Sequence, residues 1–214
     1  MPDRTETFAG GFANAVFDSQ AVFRTLMDCM ARPGQTGEVT LSLAPPAPLG
    51  IAAGAVMLTL CDHDTPVWLS PKLSQSPVPG WLAFHGGAPL TTERHEARFA
   101  FFEGRAPLPS LGAFALGSQE YPDRSTTLII EVASLDNGQP LTLSGPGIRD
   151  TAGIAPNGLP ADFLRQWSGN GALFPRGVDV VLTAGRRLVA LPRTCKITAK
   201  TLTESVAETP ASEG

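Results

Sequence analysis

The stretch that decides the fold lies near the middle of the chain and reads Thr126-Thr127-Leu128-Ile129-Ile130-Glu131-Val132. Four of its seven residues are large aliphatic residues in a nearly continuous run. Such a run is typical of a strand that is buried on both faces, whereas a half-exposed strand alternates apolar and polar residues. The sequence therefore predicts a strand over 126–132 inside a layered structure.

Upstream of this strand, apolar residues at helical spacing predict an amphipathic helix over 17–30. The residues that recur at positions i, i+3, i+4 and i+7 are Phe23, Leu26, Met27 and Met30. Asp18 or Ser19 is the expected N-cap. The helix is expected to end at Arg32-Pro33-Gly34, because the residue before a proline avoids the helical region.

Helices and strands alternate in the first half of the chain, and strands dominate the second half. Further helices are predicted at 51–60, 81–85, 111–116 and 161–168, and strands at 37–43, 67–69, 97–102, 141–143, 178–182 and 188–191. The last two strands predict a hairpin with Gly185 in its turn, and 141–143 is expected to continue the central sheet. We therefore predict a single α/β domain over residues 1–198, with three layers in which a mixed β-sheet is flanked by helices. Residues 199–214 are predicted to form a disordered tail.

The composition disfavours several classes of protein. The 214 residues carry a net charge of -4, whereas non-specific binding to nucleic acid needs a basic surface. The three cysteines are odd in number and far apart, which predicts a reducing compartment rather than a disulfide framework. The sequence shows neither a signal-peptide pattern nor an apolar run of about 18 residues that would predict a membrane span. We expect a cytoplasmic protein that binds neither nucleic acid nor membranes.

The sequence motifs do not match the common catalytic classes. Cys61-Asp62-His63-Asp64 carries four side chains of the metal-ligand type, but adjacent side chains point in different directions, so we interpret it as a helix end and turn. The chain lacks the nucleophile-elbow, P-loop and dinucleotide-binding patterns. Lys72 is interpreted as a solvated surface lysine rather than a Schiff-base lysine. We therefore expect no metal, no cofactor and no catalytic residue.

Two loops could contact a ligand. In Ser144-Gly145-Pro146-Gly147-Ile148-Arg149-Asp150, backbone N–H groups and Arg149 could bind an anion. In Phe174-Pro175-Arg176-Gly177-Val178-Asp179, Arg176 and Asp179 could form a buried ion pair that fixes the loop. In both loops the structural role is favoured and the ligand-contact role stays open.

Six sequence blocks, in order, resemble the H subunit of the bacterial carbon-phosphorus lyase system, the PhnH family. They extend from about residue 8 to about residue 196, nearly the whole predicted domain. The blocks are Phe17-Asp18-Ser19-Gln20 with Phe23-Arg24-Thr25-Leu26-Met27 and Ala31-Arg32-Pro33-Gly34, Leu60-Cys61-Asp62 with Asp64-Thr65-Pro66-Val67-Trp68-Leu69, Gly117 with Glu120-Tyr121-Pro122, Leu143-Ser144-Gly145-Pro146-Gly147-Ile148, Phe174-Pro175-Arg176-Gly177-Val178-Asp179, and Leu191-Pro192-Arg193-Thr194.

The resemblance implies a supporting subunit in phosphonate catabolism. In that system the G, H, I and L subunits are required for the step in which a phosphonate displaces the adenine of ATP, giving a ribose 1-phosphonate 5-triphosphate. The displacement chemistry is assigned to the I subunit. The family's fold is similar to the large domain of pyridoxal-phosphate-dependent transferases but lacks the cofactor's site. The resemblance also implies a homodimer in isolation and a larger core complex with the G, I and J subunits.

The predicted ligand- or interface-contact residues are Arg24, Ser144, Gly145, Gly147, Arg149, Arg176 and Asp179. Large aromatic residues fit either the core or an apolar interface, and these are Trp81, Phe84, Phe101 and Phe102. An alternative function is a small-molecule transferase that binds a phosphorylated ligand through Arg149 or Arg176.

Overall fold

A computed structural model describes residues 9–103 and 107–199. The helices in these ranges are α1 (Ala15–Ala31), α2 (Ile51–Leu60), α3 (Pro71–Ser74), α4 (Val78–His85) and α5 (Phe163–Gly171). The strands are β1 (Thr36–Glu38), β2 (Val67–Leu69), β3 (Phe99–Glu103), β4 (Thr127–Glu131), β5 (Leu141–Ser144), β6 (Ala152–Ile154), β7 (Asp179–Ala184), β8 (Arg187–Leu191) and β9 (Lys196–Ala199). No helix in the two described ranges combines the length and apolar character needed to cross a membrane.

The aliphatic stretch at 126–132 forms β4, a central strand of a six-stranded sheet. The strand order is β1-β8-β7-β4-β3-β2. Strands β2, β3, β4 and β7 are parallel to one another. Strand β8 pairs antiparallel with β7, and β1 pairs antiparallel with β8. The predicted mixed sheet of an α/β fold is therefore confirmed.

Both faces of β4 are buried, as the continuous aliphatic run predicts. On one face Ile129 joins a core that contains Phe101 and Val181 of the sheet and residues of α1, α2 and α4. On the other face Leu128 and Ile130 join a second core with residues of α5, β5 and the 3-10 turn Leu111–Ala113. The main sheet therefore separates two apolar cores, and each core is closed by a different layer.

The prediction that 141–143 continues the central sheet is wrong. Strand β5 lies in a separate antiparallel sheet of three strands, in the order β6-β5-β9. Both edges of β4 are already occupied by β3 and β7, so β5 has no free edge to join there. Leu143 instead points its buried side chain into the second core. The short strands β6 and β9 were not predicted from the sequence.

Helix α1 begins earlier than predicted, and its N-cap is Asn14 rather than Asp18 or Ser19. Asn14 Oδ1 accepts a hydrogen bond from the Phe17 amide at 3.3 Å, and Asp18 Oδ2 accepts one from the Asn14 amide at 2.9 Å. These reciprocal bonds satisfy amides that the first helical turn leaves unpaired. Asp18 thus supports the cap from inside the helix.

Several other predicted elements agree with the structure. Helix α2 and strand β2 have the predicted bounds, and the predicted short helix at 81–85 is the last part of α4. The predicted hairpin is β7-β8, with Gly185 at a φ of +57° in its turn. The helix predicted at 161–168 is displaced toward the C-terminus and forms α5. At 111–116 the chain forms a single 3-10 turn.

The predicted strand at 37–43 is wrong beyond Glu38, where β1 ends. The carbonyl oxygens of Val39 and Leu41 accept hydrogen bonds from Arg186 Nη1 at 3.1 and 2.8 Å instead of extending the ladder. At the C-terminus, β9 includes Ala199, and the rest of the predicted tail at 199–214 lies outside the described residues.

A carboxylate at the end of the central strand holds the start of α2. Glu131 Oε2 accepts a hydrogen bond from the Gly50 amide at 2.7 Å, and the Ala52 amide donates to the Gly185 carbonyl at 2.8 Å. A Cβ added to Gly50 would lie 1.8 Å from Glu131 Oε1, so a larger residue here would displace the Glu131 carboxyl. Burial raises the pKa of the Glu131 carboxyl, and the amides of Gly50 and Gly185 oppose that rise.

The raised pKa of Glu131 gives a pH-dependent prediction. A carboxyl whose pKa is higher in the folded state contributes most to stability when protonated, and this contribution is lost as the pH rises through the folded-state value. Glu131→Gln keeps an oxygen for the Gly50 amide and stays neutral, so it should gain stability relative to the wild type between pH 5 and pH 8. Glu131→Ala leaves the amide without an acceptor and should cost about 1–3 kcal/mol.

Urea denaturation at both pH values checks this prediction, with Glu93→Gln as a control at an exposed position. If Glu131→Gln loses the same stability as Glu131→Ala at both pH values, the ionised carboxylate itself is what holds α2.

Candidate functional site

Asp179 pairs with Arg193, and the predicted pairing with Arg176 is wrong. Asp179 Oδ1 accepts hydrogen bonds from the backbone amide and Nε of Arg193 at 2.7 and 3.1 Å, and Oδ2 accepts one from Nη2. The two side chains are only 14% and 12% exposed. The reason is the antiparallel β7-β8 register, in which Val180 lies opposite Leu191 and brings Arg193 next to the start of β7. The predicted hairpin register was the sequence signal that could have identified Arg193.

Arg193 also binds the loops on either side of this ion pair. Its Nη1 donates to the carbonyl oxygens of Pro122 at 2.8 Å and Pro175 at 3.4 Å, and its Nη2 donates to Ser125 Oγ at 2.5 Å. One guanidinium therefore connects the end of the hairpin to two loops that are distant in sequence. This is the planar, multidentate role for which arginine is suited.

The loop that contains Arg176 is fixed by a different residue. Asn170, buried on α5, donates from Nδ2 to the Val178 carbonyl at 2.9 Å and accepts from the Val178 amide at 2.8 Å. Arg176 Nε is buried and has no hydrogen-bond partner among the described residues. Sequence reasoning did not identify Asn170, because an asparagine nine residues before the start of β7 carries no local signal of this contact.

The glycine loop packs against the rest of the fold. Gly147 has a φ of +80°, and an added Cβ would lie 2.1 Å from the Ala31 carbonyl oxygen at the end of α1. At Gly145, with a φ of +136°, an added Cβ would lie 2.8 Å from the Thr194 carbonyl oxygen. These close approaches explain, on structural grounds, why both positions are occupied by glycine. Ser144 ends β5, and Arg149 is exposed on the far side of the loop.

A groove of about 710 Å³ lies where three of the sequence blocks meet, namely those that contain Pro146, Phe174 and Arg193. Its walls come from α5, β9 and the two loops, and its lining residues are Pro146, Trp167, Ser168, Gly171, Ala172, Phe174, Arg193, Thr194, Cys195, Lys196, Ile197 and Thr198. The lining contains no carboxylate or imidazole among these residues. Burial raises the pKa of the Cys195 thiol to about 11, so it is protonated at neutral pH and is a poor nucleophile. The groove suits an apolar group better than acid-base chemistry.

Arg24 lies apart from these loops, on the exposed side of α1. It lines a hollow of about 470 Å³ together with Phe23, Met27 and Thr59. Of the aromatic residues with two possible roles, Phe84 is exposed, whereas the buried ones are Trp81, Phe101 and Phe102. Arg24 therefore lies away from the other six candidate contact residues and next to an apolar surface.

The Cys61-Asp62-His63-Asp64 segment forms the end of α2 and a turn. Asp62 Oδ1 accepts hydrogen bonds from Thr65 Oγ1 at 2.6 Å and from the Asp64 amide at 3.1 Å, which lower the pKa of the Asp62 carboxyl. Among the residues described by the structure, no three His, Cys, Asp or Glu side chains are grouped to hold a metal ion.

The ion pair gives a direct mutational prediction. Arg193→Ala should lower the free energy of unfolding by about 3 kcal/mol, because it leaves the largely buried Asp179 carboxylate without its partner. Arg176→Ala breaks no ion pair and should cost about 1 kcal/mol or less. Urea denaturation of both variants near neutral pH measures the difference, and equal losses would contradict the assignment of the ion pair.

Comparisons with known proteins agree with the resemblance found in the sequence. The family profile described as "Bacterial phosphonate metabolism protein (PhnH)" matches residues 10–198. The chain is 58% identical over 197 residues to a protein of Rhizobium meliloti (strain 1021) named alpha-D-ribose 1-methylphosphonate 5-triphosphate synthase subunit PhnH. This match covers 92% of the chain and 98% of the relative.

A second relative matches over a shorter region. It is a protein of Stutzerimonas stutzeri named putative C-P lyase subunit protein HtxG, 36% identical over 85 residues, which are 40% of the chain and 44% of the relative. The resemblance deduced from the six sequence blocks is confirmed, and the chain belongs to the PhnH family of bacterial phosphonate metabolism proteins.

Proposed function

We propose that this chain is a subunit of the carbon-phosphorus lyase system and serves the formation of alpha-D-ribose 1-methylphosphonate 5-triphosphate, in which a phosphonate displaces the adenine of ATP. The observation that carries the proposal is the 58% identity, over nearly the full length of both chains, to a relative named as a subunit of that synthase. Identity at this level over 98% of the relative favours the same place in the same assembly.

Within that system the chain has an assembly role rather than a catalytic one. Two contacts of the predicted site residues support this view: Asp179 is bound by Arg193, and Gly147 is packed on Ala31. The Cys195 thiol, which lines the neighbouring groove, has its pKa raised to about 11. Each of these groups stabilises a loop or stays protonated. The displacement chemistry then belongs to a partner, the I subunit.

The proposal includes the partners and the location that the family resemblance implies. The chain acts with the G, I and L subunits in forming the triphosphate, joins a core complex with G, I and J, and is a homodimer when isolated. It works in the cytoplasm without a cofactor. Its likeness to the large domain of pyridoxal-phosphate-dependent transferases belongs to the same proposal.

The alternative is a small-molecule transferase that binds a phosphorylated ligand. It is favoured by the buried Arg176 Nε, which has no partner among the described residues. Arg149 is exposed and would add a second cation. In this alternative the phosphorylated ligand contacts Arg149 and Arg176, together with Ser144, Gly145 and Gly147.

Co-purification tests the subunit proposal. When the tagged full-length chain is expressed together with the G, I and J subunits, affinity purification followed by size-exclusion chromatography should yield one assembly that contains all four proteins. Expression of G, I and J without the chain controls for binding to the resin. If the tagged chain elutes alone, the proposal is wrong.

Calorimetry separates the subunit from the alternative transferase. Titration of the isolated chain with ATP, and separately with methylphosphonate, should give no heat of binding if a partner holds the substrates. Heat that is present in the wild type and abolished in Arg176→Ala or Arg149→Ala would instead support the transferase.

A further inference from the structure

The solvent-facing side of α1 carries an unusual concentration of apolar side chains. Eight large apolar residues are exposed in the described part of the chain, and four of them lie on this single helix. They are Val16, Phe17, Phe23 and Met27, which are 63%, 69%, 49% and 48% exposed. The opposite side of α1 separately supplies the core, through Val22, Leu26 and Cys29. Packing among residues 9–103 and 107–199 therefore gives no reason for the outer apolar residues.

Val16, Phe23 and Met27 border two adjoining hollows that α1 forms with the end of α2, and His85 of α4 also lines one of them. The hollows have volumes of about 470 and 420 Å³ and share Ser19, Gln20 and Thr59 as lining residues. Val16 lines one hollow, and Phe23 and Met27 line the other. From residue 16 to residue 27 the helix rises about 16 Å, or three turns. We call this surface, from Val16 to Met27 on α1 and at Thr59 on α2, the α1-α2 groove.

Among the described residues that line the two hollows, Arg24 is the one arginine, lysine or carboxylate side chain, and His85 lines one of the hollows. Arg24 is exposed and forms no hydrogen bond or ion pair with any described residue. The two acidic residues of α1 are already engaged, because Asp18 accepts from the Asn14 amide and Asp28 pairs with Arg32 at 3.4 Å. No carboxylate of a described residue lines either hollow. A complementary surface therefore has apolar side chains around one acidic residue.

We propose that the α1-α2 groove is a docking site for an amphipathic helix of another subunit, with apolar side chains in the two hollows and a carboxylate against Arg24. The inference rests on the proposed function, which places the chain in a complex. A helix is the expected occupant because the exposed apolar side chains of α1 extend over about three turns, a length that matches the ridge of side chains on another helix.

A second copy of this chain fits the groove less well than a different subunit. A symmetric contact repeats the same surface on both sides, so it would bring two Arg24 guanidinium groups into one interface. The groove supplies no free carboxylate to neutralise them. A different subunit with an acidic residue avoids this like-charge cost.

The test uses the complex obtained by co-expression with the G, I and J subunits. Arg24→Glu, and separately the double variant Phe23→Ser with Met27→Ser, should each reduce recovery of the other subunits by about tenfold or more. Leu90→Ser changes an apolar residue that is also exposed but lies outside the groove, and it should leave recovery unchanged. Circular dichroism and the melting temperature verify that the isolated variants are folded.

A photo-crosslinker identifies the occupant. With p-benzoyl-phenylalanine in place of Phe23, irradiation of the assembled complex should crosslink a peptide of another subunit that contains an acidic residue in a helix. A crosslink to a second copy of this chain, or no crosslink within an intact complex, would overturn the inference.

The outcomes distinguish this inference from the proposed function. If the wild-type chain recovers no partner, the proposed function fails. If the wild type and all groove variants recover the G, I and J subunits equally well, the proposed function stands and the groove is not the docking site.

Discussion

The hydrogen bond from the Gly50 amide to the Glu131 carboxyl joins helix α2 to the central strand of the main sheet. The apolar core on that face of the sheet contains most of α2. The hydrogen bond attaches the N-terminus of α2 to the end of the central strand, where the partial positive charge of the helix favours an oxygen acceptor. Helix α2 is almost entirely apolar and lies buried against the main sheet and α1. Helix α1 packs beside it and against β1 and β8, with one side in the core and its apolar outer side in solvent.

The position of Glu131 at the end of β4 also bears on where a ligand could bind. In open α/β sheets, ligands usually bind beyond the carboxyl ends of the parallel strands. Here polar groups at that edge bind one another: Ser70 Oγ donates to Glu103, and Glu131 holds the start of α2. At the other end of β7, Asp179 is held by Arg193. These contacts stabilise the loops, and four of the eight exposed large apolar residues in the described ranges lie on α1. This distribution agrees with a subunit that acts through its neighbours.

Much of the fold could be predicted from local patterns because the relevant signals are local. The aliphatic run of β4, the apolar helix α2 and the β7-β8 hairpin each depend on a few consecutive residues. The sheet that takes up β5 depends on which strand edges are free, and the end of β1 depends on Arg186, which is far away in sequence. The partner of Asp179 differs from these cases, since the register of the predicted β7-β8 hairpin already places Arg193 beside the start of β7. Arg24 could be named as a candidate from the sequence, but its isolation on an apolar helix face is visible only in the folded chain.

Docking of this PhnH-family subunit through the outer face of α1 can be measured by hydroxyl-radical footprinting of the side chains in the isolated chain and in the assembled complex. Oxidation of Phe23 and Met27 should fall severalfold on assembly, because a partner covers them, while oxidation of Leu90 should not change. Equal oxidation of Phe23 and Met27 in the free and assembled states would contradict docking at this face.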